Sequence, residues 1–248
     1  MGKSVLPTST TKGTISLDKN SSIKNIFSIV APRIDLLNRI FSLGLDYLWR
    51  KRLIFLSGIK VGDRVLDACT GTGEVALLIE KKVRPSGTVT GVDFCEEMLE
   101  IAIRKTNSHK KNISFILSDT RTFPFPDNTF DAVTVAFGMR NITDTVPALR
   151  EIKRVIKPGG RFFCLELTMP EKKWFLPLYK LYVFKIIPFL GKIAIKSVTP
   201  YMYLPRSIDA FYPPEEFKGL IQGCGFQSVT VNSMSFGVAT IYGAIKGA

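Results

Sequence analysis

The sequence predicts an α/β fold: a mostly parallel, seven-stranded sheet with helices packed on its faces. Two observations predict it. Five short apolar runs alternate with helix-period segments or loops through the middle of the chain, and two further strand-like runs close it. Strands joined through crossover helices must lie parallel, because a tight hairpin returns the chain in the opposite direction.

The elements follow in order. Residues 1–22 are rich in Ser, Thr and Lys and lack the apolar stretch of a secretory signal, so they read as a mobile tail ahead of a single domain over 23–248. Residues 30–56 read as helical. "RVLDAC" (64–69) is a strand followed by the helix "EVALLIEKKV", and "GTVTGVDF" (87–94) is a strand followed by "EEMLEIAIRK". "ISFILSD" (113–119) leads into a loop, "FDAVTVAFG" (130–138) into the helix "TVPALREIKRVI", and "KPGG" (157–160) turns into the strand "RFFCLEL". An apolar, lysine-punctuated insert over 172–210 then interrupts the alternation. With residues 30–56 it forms a candidate cap over the strand ends. "PPEEFKGLIQGCGF" (213–226) places proline at a helix start and glycine beyond its end. "SVTVNSM" and "VATIYGAI" close the chain, the last run as part of an antiparallel hairpin.

Composition narrows the chemistry. Among 248 residues there are four cysteines, with no C-x-x-C pair, and one histidine, His109. That argues against a structural zinc site or a disulfide framework and suits a reducing cytoplasm. His109 sits in the polar connector "NSHKKN" and reads as a solvated loop residue. The net charge of +13 calls for a partner among nucleic acids, anionic lipid or an anionic substrate.

"VLDACTGTGEVA" (65–76) is the most informative stretch. A strand ends near Asp67, and Gly71 and Gly73 turn the chain into a helix where a ligand must approach backbone. Thr72 lies between them. Asp93 ends the next strand, placed to accept both hydroxyls of a ribose. Asp119 ends the third, with Thr120 adjacent, placed to accept an adenine amino group. Gly71-x-Gly73-x-x-Ala76 also fits a dinucleotide fingerprint, which keeps an NAD(P)-binding oxidoreductase as an alternative. Yet a carboxylate ahead of the loop repels a pyrophosphate and suits a cationic amino group. S-adenosyl-L-methionine carries an ammonium, a sulfonium and a ribose but no phosphate, so it is the favoured cofactor. Y-x-x-x-K pairs at Tyr47/Lys51 and Tyr242/Lys246 fall before the first strand and in the last, out of order for dehydrogenase chemistry.

From about residue 30 onward the chain resembles the UbiE/MenG-type C-methyltransferases of ubiquinone and menaquinone biosynthesis. "PFPDNTFDAVTVAFGMRN" (124–141), "RVIKPGGRFFCLELT" (154–168), "YLPRSIDAF" (203–211) and "IDLLNRIFSLGLDYLWRK" (34–51) carry the resemblance. It departs at Ile34, where the family has tyrosine, and at Asp46 and Tyr242, where histidine is frequent. The resemblance implies the Rossmann-like fold of class I S-adenosylmethionine-dependent methyltransferases, with helical cap elements and no metal. It also implies methylation of a ring carbon of a polyprenyl quinol, demethylmenaquinol being the preferred substrate. A nucleic-acid methyltransferase is the competing class, but no Pro-Cys nucleophile and no Asn/Asp-Pro-Pro-aromatic tetrad is present, so no nucleic-acid partner is expected.

Within that reading, Arg140 and Asn141 at the tip of the fourth strand are the candidate catalytic pair. Arg140 stabilises a developing phenolate or orients the water that takes its proton, and Asn141 holds that water. The competing expectation is that Arg140 caps a helix or pairs with a carboxylate such as Asp144. The lysine-rich insert suggests an anionic membrane surface as a peripheral partner.

Overall fold

A computed structural model describes residues 23–106, 112–189 and 199–248. The expected tail, His109 and Lys192 and Lys196 of the insert lie outside the described residues. The sheet is built from β1 (Arg64–Ala68), β2 (Thr88–Asp93), β3 (Ile113–Leu117), β4 (Phe130–Ala136), β5 (Ile156–Leu167), β6 (Phe226–Met234) and β7 (Ala239–Lys246). Their spatial order is β3-β2-β1-β4-β5-β7-β6. β1 pairs in parallel with β2 and β4, and β7 runs antiparallel to both of its neighbours, β5 and β6. The alternating pattern and the closing hairpin expected from the sequence are both present.

"KPGG" is not a turn ahead of β5 but part of it. The β4–β5 register shifts between Phe130, opposite Ile156, and Ala132, opposite Arg161, so the extra residues are accommodated as an irregularity within one strand. Gly159 at φ +72° supplies the left-handed step that this requires.

Helices cover both faces. Residues 23–30 form helix α1, followed by α2 (Ile34–Phe41) and α3 (Leu45–Leu56). The crossover helices are α4 (Glu74–Val83), α5 (Glu96–Thr106) and α6 (Thr145–Val155). After β5 come α7 (Leu176–Leu181), a π-helical turn over Tyr182–Ile186, α8 (Thr199–Asp209) and α9 (Pro214–Gly223). Strand periodicity divides the core between the faces. Val133 and Val135 of β4 pack with Leu149 and Ile152 of α6 and Phe217 and Ile221 of α9. Ala132, just before them on the other face, packs with Leu53 of α3 and Ile79 and Val83 of α4.

The topology positions the site. Successive strands run to one side from β1 and to the other side from β4, so the crevice opens at the carboxyl ends of those two neighbours. The loop after β1 and the turn after β4 therefore meet. They meet so closely that a Cβ on Gly138 would lie 2.4 Å from Cβ of Cys69.

Candidate active site

A cavity of about 700 Å³ lies over this crevice, within the ~300–1,000 Å³ common for small-molecule sites. One end is polar. Thr70, Gly71 and Thr72 of the β1–α4 loop, Asp93, and Asp119 with Thr120 all line it. The other end is apolar, lined by Phe41 of α2, Leu178 and Tyr179 of α7, and Ile186 and Ile187 beyond. Arg140 and Asn141 belong to the same lining. Side chains of α2 and α7, within the segments 30–56 and 172–210, line the cavity.

The polar end is pre-organised by hydrogen bonds. Asp93 accepts the Gly71 N–H at 2.8 Å and the Cys95 N–H at 3.0 Å, which ties the loop to β2. Burial pushes its carboxyl above the usual range, with those N–H groups pulling it back. Gly71 stands at φ +54°, and an added Cβ would meet nothing within 4 Å, so the backbone there is open to a ligand. Gly73 serves differently from the expectation. It caps α4 at φ +80°, is absent from the lining, and an added Cβ would lie 3.1 Å from Ala102 and 3.2 Å from Phe115. Its hydrogen lets α4 seat against α5 and β3.

Asp67 is placed beneath the loop rather than on the cavity wall. Its two oxygens accept the Thr134 and Thr70 hydroxyls, each at 2.7 Å, so it reaches the cavity through Thr70. Burial raises its pKa to about 6. Asp119 lies just past β3, not within it, and Arg121 binds both its oxygens. Burial works upward on that carboxyl, but the Arg121 hydrogen bonds outweigh it and hold the pKa below the usual range. Thr120 lies 3.3 Å from the Cys69 sulfur. The Thr72 hydroxyl donates at 2.6 Å to Asp35 of α2, and Lys105 bridges Asp35 to Glu74, so α2 is latched to the loop.

The strand tip is where the sequence was least explicit. Phe137 adopts φ +60°, a strained position for a bulky residue. That conformation turns its carbonyl to accept Arg140 Nη1 at 2.7 Å and Asn141 Nδ2 at 3.2 Å. Arg140 does not pair with Asp144, whose carboxylate is taken by Arg121. It pairs instead with Glu166 of β5, which is fully buried and also accepts the Arg140 and Leu167 backbone N–H groups. Arg140 Nε is buried and has no hydrogen-bond partner among the described residues. Asn141 Oδ1 accepts the Tyr203 hydroxyl of α8 at 2.8 Å. Asp46 of α3, also lining the cavity, binds Arg50, Arg39 and Ser42, and the Arg50 guanidinium lies 5.2 Å from the Phe137 ring centroid.

Reading the sequence missed Glu166, Thr70, Asp35, Tyr179 and Tyr203. A signal existed for Glu166, a lone acid in the apolar run "RFFCLEL", and for Thr70, inside the quoted loop. Tyr203 opens the quoted segment "YLPRSIDAF", but nothing there pointed to Asn141, 62 residues away, and no signal existed for Tyr179. The two Y-x-x-x-K pairs stay off the cavity lining, with Tyr242 in the core against Phe217.

These residues fit the cofactor expected. The cradle around the glycine loop is acidic, and its nearest cations, Lys105 and Arg121, are already paired with carboxylates. Such a cradle suits a sulfonium, an ammonium and a ribose, and opposes a pyrophosphate. Fold and site together define a class I S-adenosylmethionine-dependent methyltransferase, and solved structures share the fold. A methyltransferase of that dependence from Aquifex aeolicus superposes with a TM-score of 0.63 at 23% identity, over 91% of this chain and 97% of its own. A phosphoethanolamine N-methyltransferase from Haemonchus contortus, in complex with S-adenosylhomocysteine, gives 0.59 at 16% identity over 80% of this chain and 52% of its own.

The family model for the ubiE/COQ5 methyltransferase family matches residues 15–246, and the chain belongs to that family. A demethylmenaquinone methyltransferase of Thermus thermophilus is 43% identical, over 88% of this chain and 98% of that protein. The ubiquinone/menaquinone biosynthesis C-methyltransferase UbiE of Geobacter sulfurreducens is 40% identical, over 93% of this chain and 90% of that protein. The dinucleotide alternative is thereby displaced.

Proposed function

We propose that the enzyme methylates a ring carbon of a polyprenyl hydroquinone, with demethylmenaquinol as its substrate. The observation that carries this reading is the cavity's division: an acidic cradle at one end, an apolar chamber at the other, and Arg140 with Asn141 on the same lining. When bound, S-adenosylmethionine supplies an electrophilic methyl group, whose bond to sulfur breaks as the ring carbon binds it. Asp93 would hold the ribose, Asp119 and Thr120 the adenine, and the Gly71–Thr72 backbone the amino-acid end, with Asp67 acting through Thr70.

The ring carbon becomes nucleophilic when the neighbouring hydroxyl ionises, and a phenol near pKa ~10 needs help to do so at neutral pH. Arg140 supplies a fixed positive charge to that oxygen rather than acting as a base. Glu166 fixes the direction of that charge. Asn141, held by Tyr203 and Phe137, sets the position of the water that carries the proton away. Arg140→Ala is expected to remove turnover while cofactor affinity, measured by calorimetry, changes little. Normal turnover in that variant would overturn the assignment.

The partner of this reading is an anionic membrane surface. Leu43, Leu178, Leu181 and Phe236 line the cavity yet are 81%, 60%, 54% and 56% exposed, so the rim is apolar. Trp174 and the exposed Lys172, Lys173, Lys180 and Lys185 flank it. Apolar side chains under a lysine fringe suit the headgroup layer of anionic lipid. Among the described residues no helix is long and apolar enough to cross a membrane. Co-sedimentation with vesicles should rise with the anionic lipid fraction, and indifference to lipid charge would remove this partner.

A further inference from the structure

We propose that Tyr179 is a catalytic residue, its hydroxyl donating a hydrogen bond to the substrate ring oxygen that Arg140 faces. This rests on the quinol reading and adds a group that no motif marks. Tyr179 sits in the middle of α7, where it packs with Val183, Ile187 and Ile208 and lies 6.2 Å, centroid to centroid, from the Phe175 ring. It is only 6% exposed and lines the cavity. Its hydroxyl makes no hydrogen bond among the described residues. That oxygen is not among the enclosed polar atoms left without a partner, so it opens onto the cavity that the ring lines, where a ligand atom can accept its O–H.

Two other cap tyrosines illustrate the contrast. Tyr182 donates to the Phe41 carbonyl at 3.1 Å and Tyr203 to Asn141, so both hydroxyls are used by the protein. Tyr179 alone of the three keeps its donor for whatever occupies the cavity. The groups that act on its phenol are the Arg140 charge and the neighbouring Tyr182. Burial pushes the phenol well above its ordinary value and Arg140 pulls against that, so the hydroxyl stays protonated at neutral pH.

A protonated phenol cannot take the substrate's proton, which fixes its role as a donor. The substrate O–H proton leaves to water. The ring carbon forms its bond to the methyl carbon, the electrons of the broken carbon–sulfur bond stay on sulfur, and the ring C–H proton then leaves to water. Tyr179 keeps its own proton throughout. Its hydrogen bond strengthens as negative charge grows on the ring oxygen, so it favours the transition state over the bound substrate.

Tyr179→Phe tests this, since it removes one oxygen and leaves the packing. With demethylmenaquinol, kcat should fall roughly 10²-fold, with KM and calorimetric cofactor affinity within about twofold. A readout independent of turnover is the pH at which enzyme-bound 1-naphthol ionises, followed by absorbance. The variant should need a pH about one unit higher, a tenfold loss of phenolate preference. The melting temperature should not fall, because the hydroxyl has no protein partner to lose. Unchanged kcat and unchanged naphthol ionisation would overturn the proposal, and so would a clear drop in melting temperature. If the wild-type enzyme methylates no quinol at all, the underlying reading fails instead, and the two failures are distinct.

Discussion

Gly138→Ala should damage the site through a single methyl group. Gly138 has φ −107°, which any residue tolerates, so the glycine is required for space alone. Its Cβ would sit 2.4 Å from Cβ of Cys69, 2.9 Å from the Cys69 sulfur and 3.1 Å from Val135 Cγ1. Carbons in contact rest about 3.5–4.0 Å apart, so the turn after β4 and the loop after β1 must separate by about 1 Å. Overpacking of that kind costs about 1–3 kcal/mol. The same displacement moves Arg140 and Asn141 away from the cofactor cradle, and a misplacement of about 1 Å lowers turnover roughly 10²-fold. Urea denaturation reads the first effect, and transfer of labelled methyl to demethylmenaquinol reads the second. Cys69→Gly added to Gly138→Ala should restore both, because it deletes the atoms in collision at a residue already holding φ +54°. A Gly138→Ala enzyme with wild-type stability and turnover would refute the reasoning. So would a double variant no better than the single one.

Two further expectations concern charges the site keeps out of water. Asp67 titrates at about 6 against an ordinary 3.8, so between those values the folded protein holds a proton that the unfolded chain has released. Stability from this group therefore declines as pH rises through that window and is flat above it, by about 3 kcal/mol at ~1.36 kcal/mol per unit. Asp67→Asn should remove this slope, and a wild-type-minus-variant difference that stays constant from pH 4 to 7 would contradict the burial argument. Glu166→Gln should cost about 3–5 kcal/mol in chemical denaturation and abolish turnover, because it leaves Arg140 as an uncompensated buried charge. Arg140→Met in the same chain should recover most of the stability and none of the activity. Recovery of activity would mean the pair is structural only.

The sequence by itself determined which segments form the strands and helices, and which residues stand at the strand ends. That information is local: period-2 apolar runs make strands, glycines permit the φ values of the β1–α4 loop, and acids at successive strand ends converge wherever such strands lie parallel. Thr72, Asp93, Asp119 and Thr120 line the cavity for that reason. Tertiary structure alone decided how Arg140 is held. The carboxylate of the competing expectation, Asp144, is near in sequence, but the turn set by Phe137 aims the guanidinium at Glu166, 26 residues away, on the neighbouring strand. The same holds for the cap. Tyr203 reaches Asn141 across 62 residues and Asp35 reaches Thr72 across 37, pairings with no periodic signature. Asp67 and Gly73 show the converse, their positions expected but their roles turned inward. Spacing along a chain records which strand end a residue occupies, while the wall its side chain meets depends on the neighbours that packing brings to it.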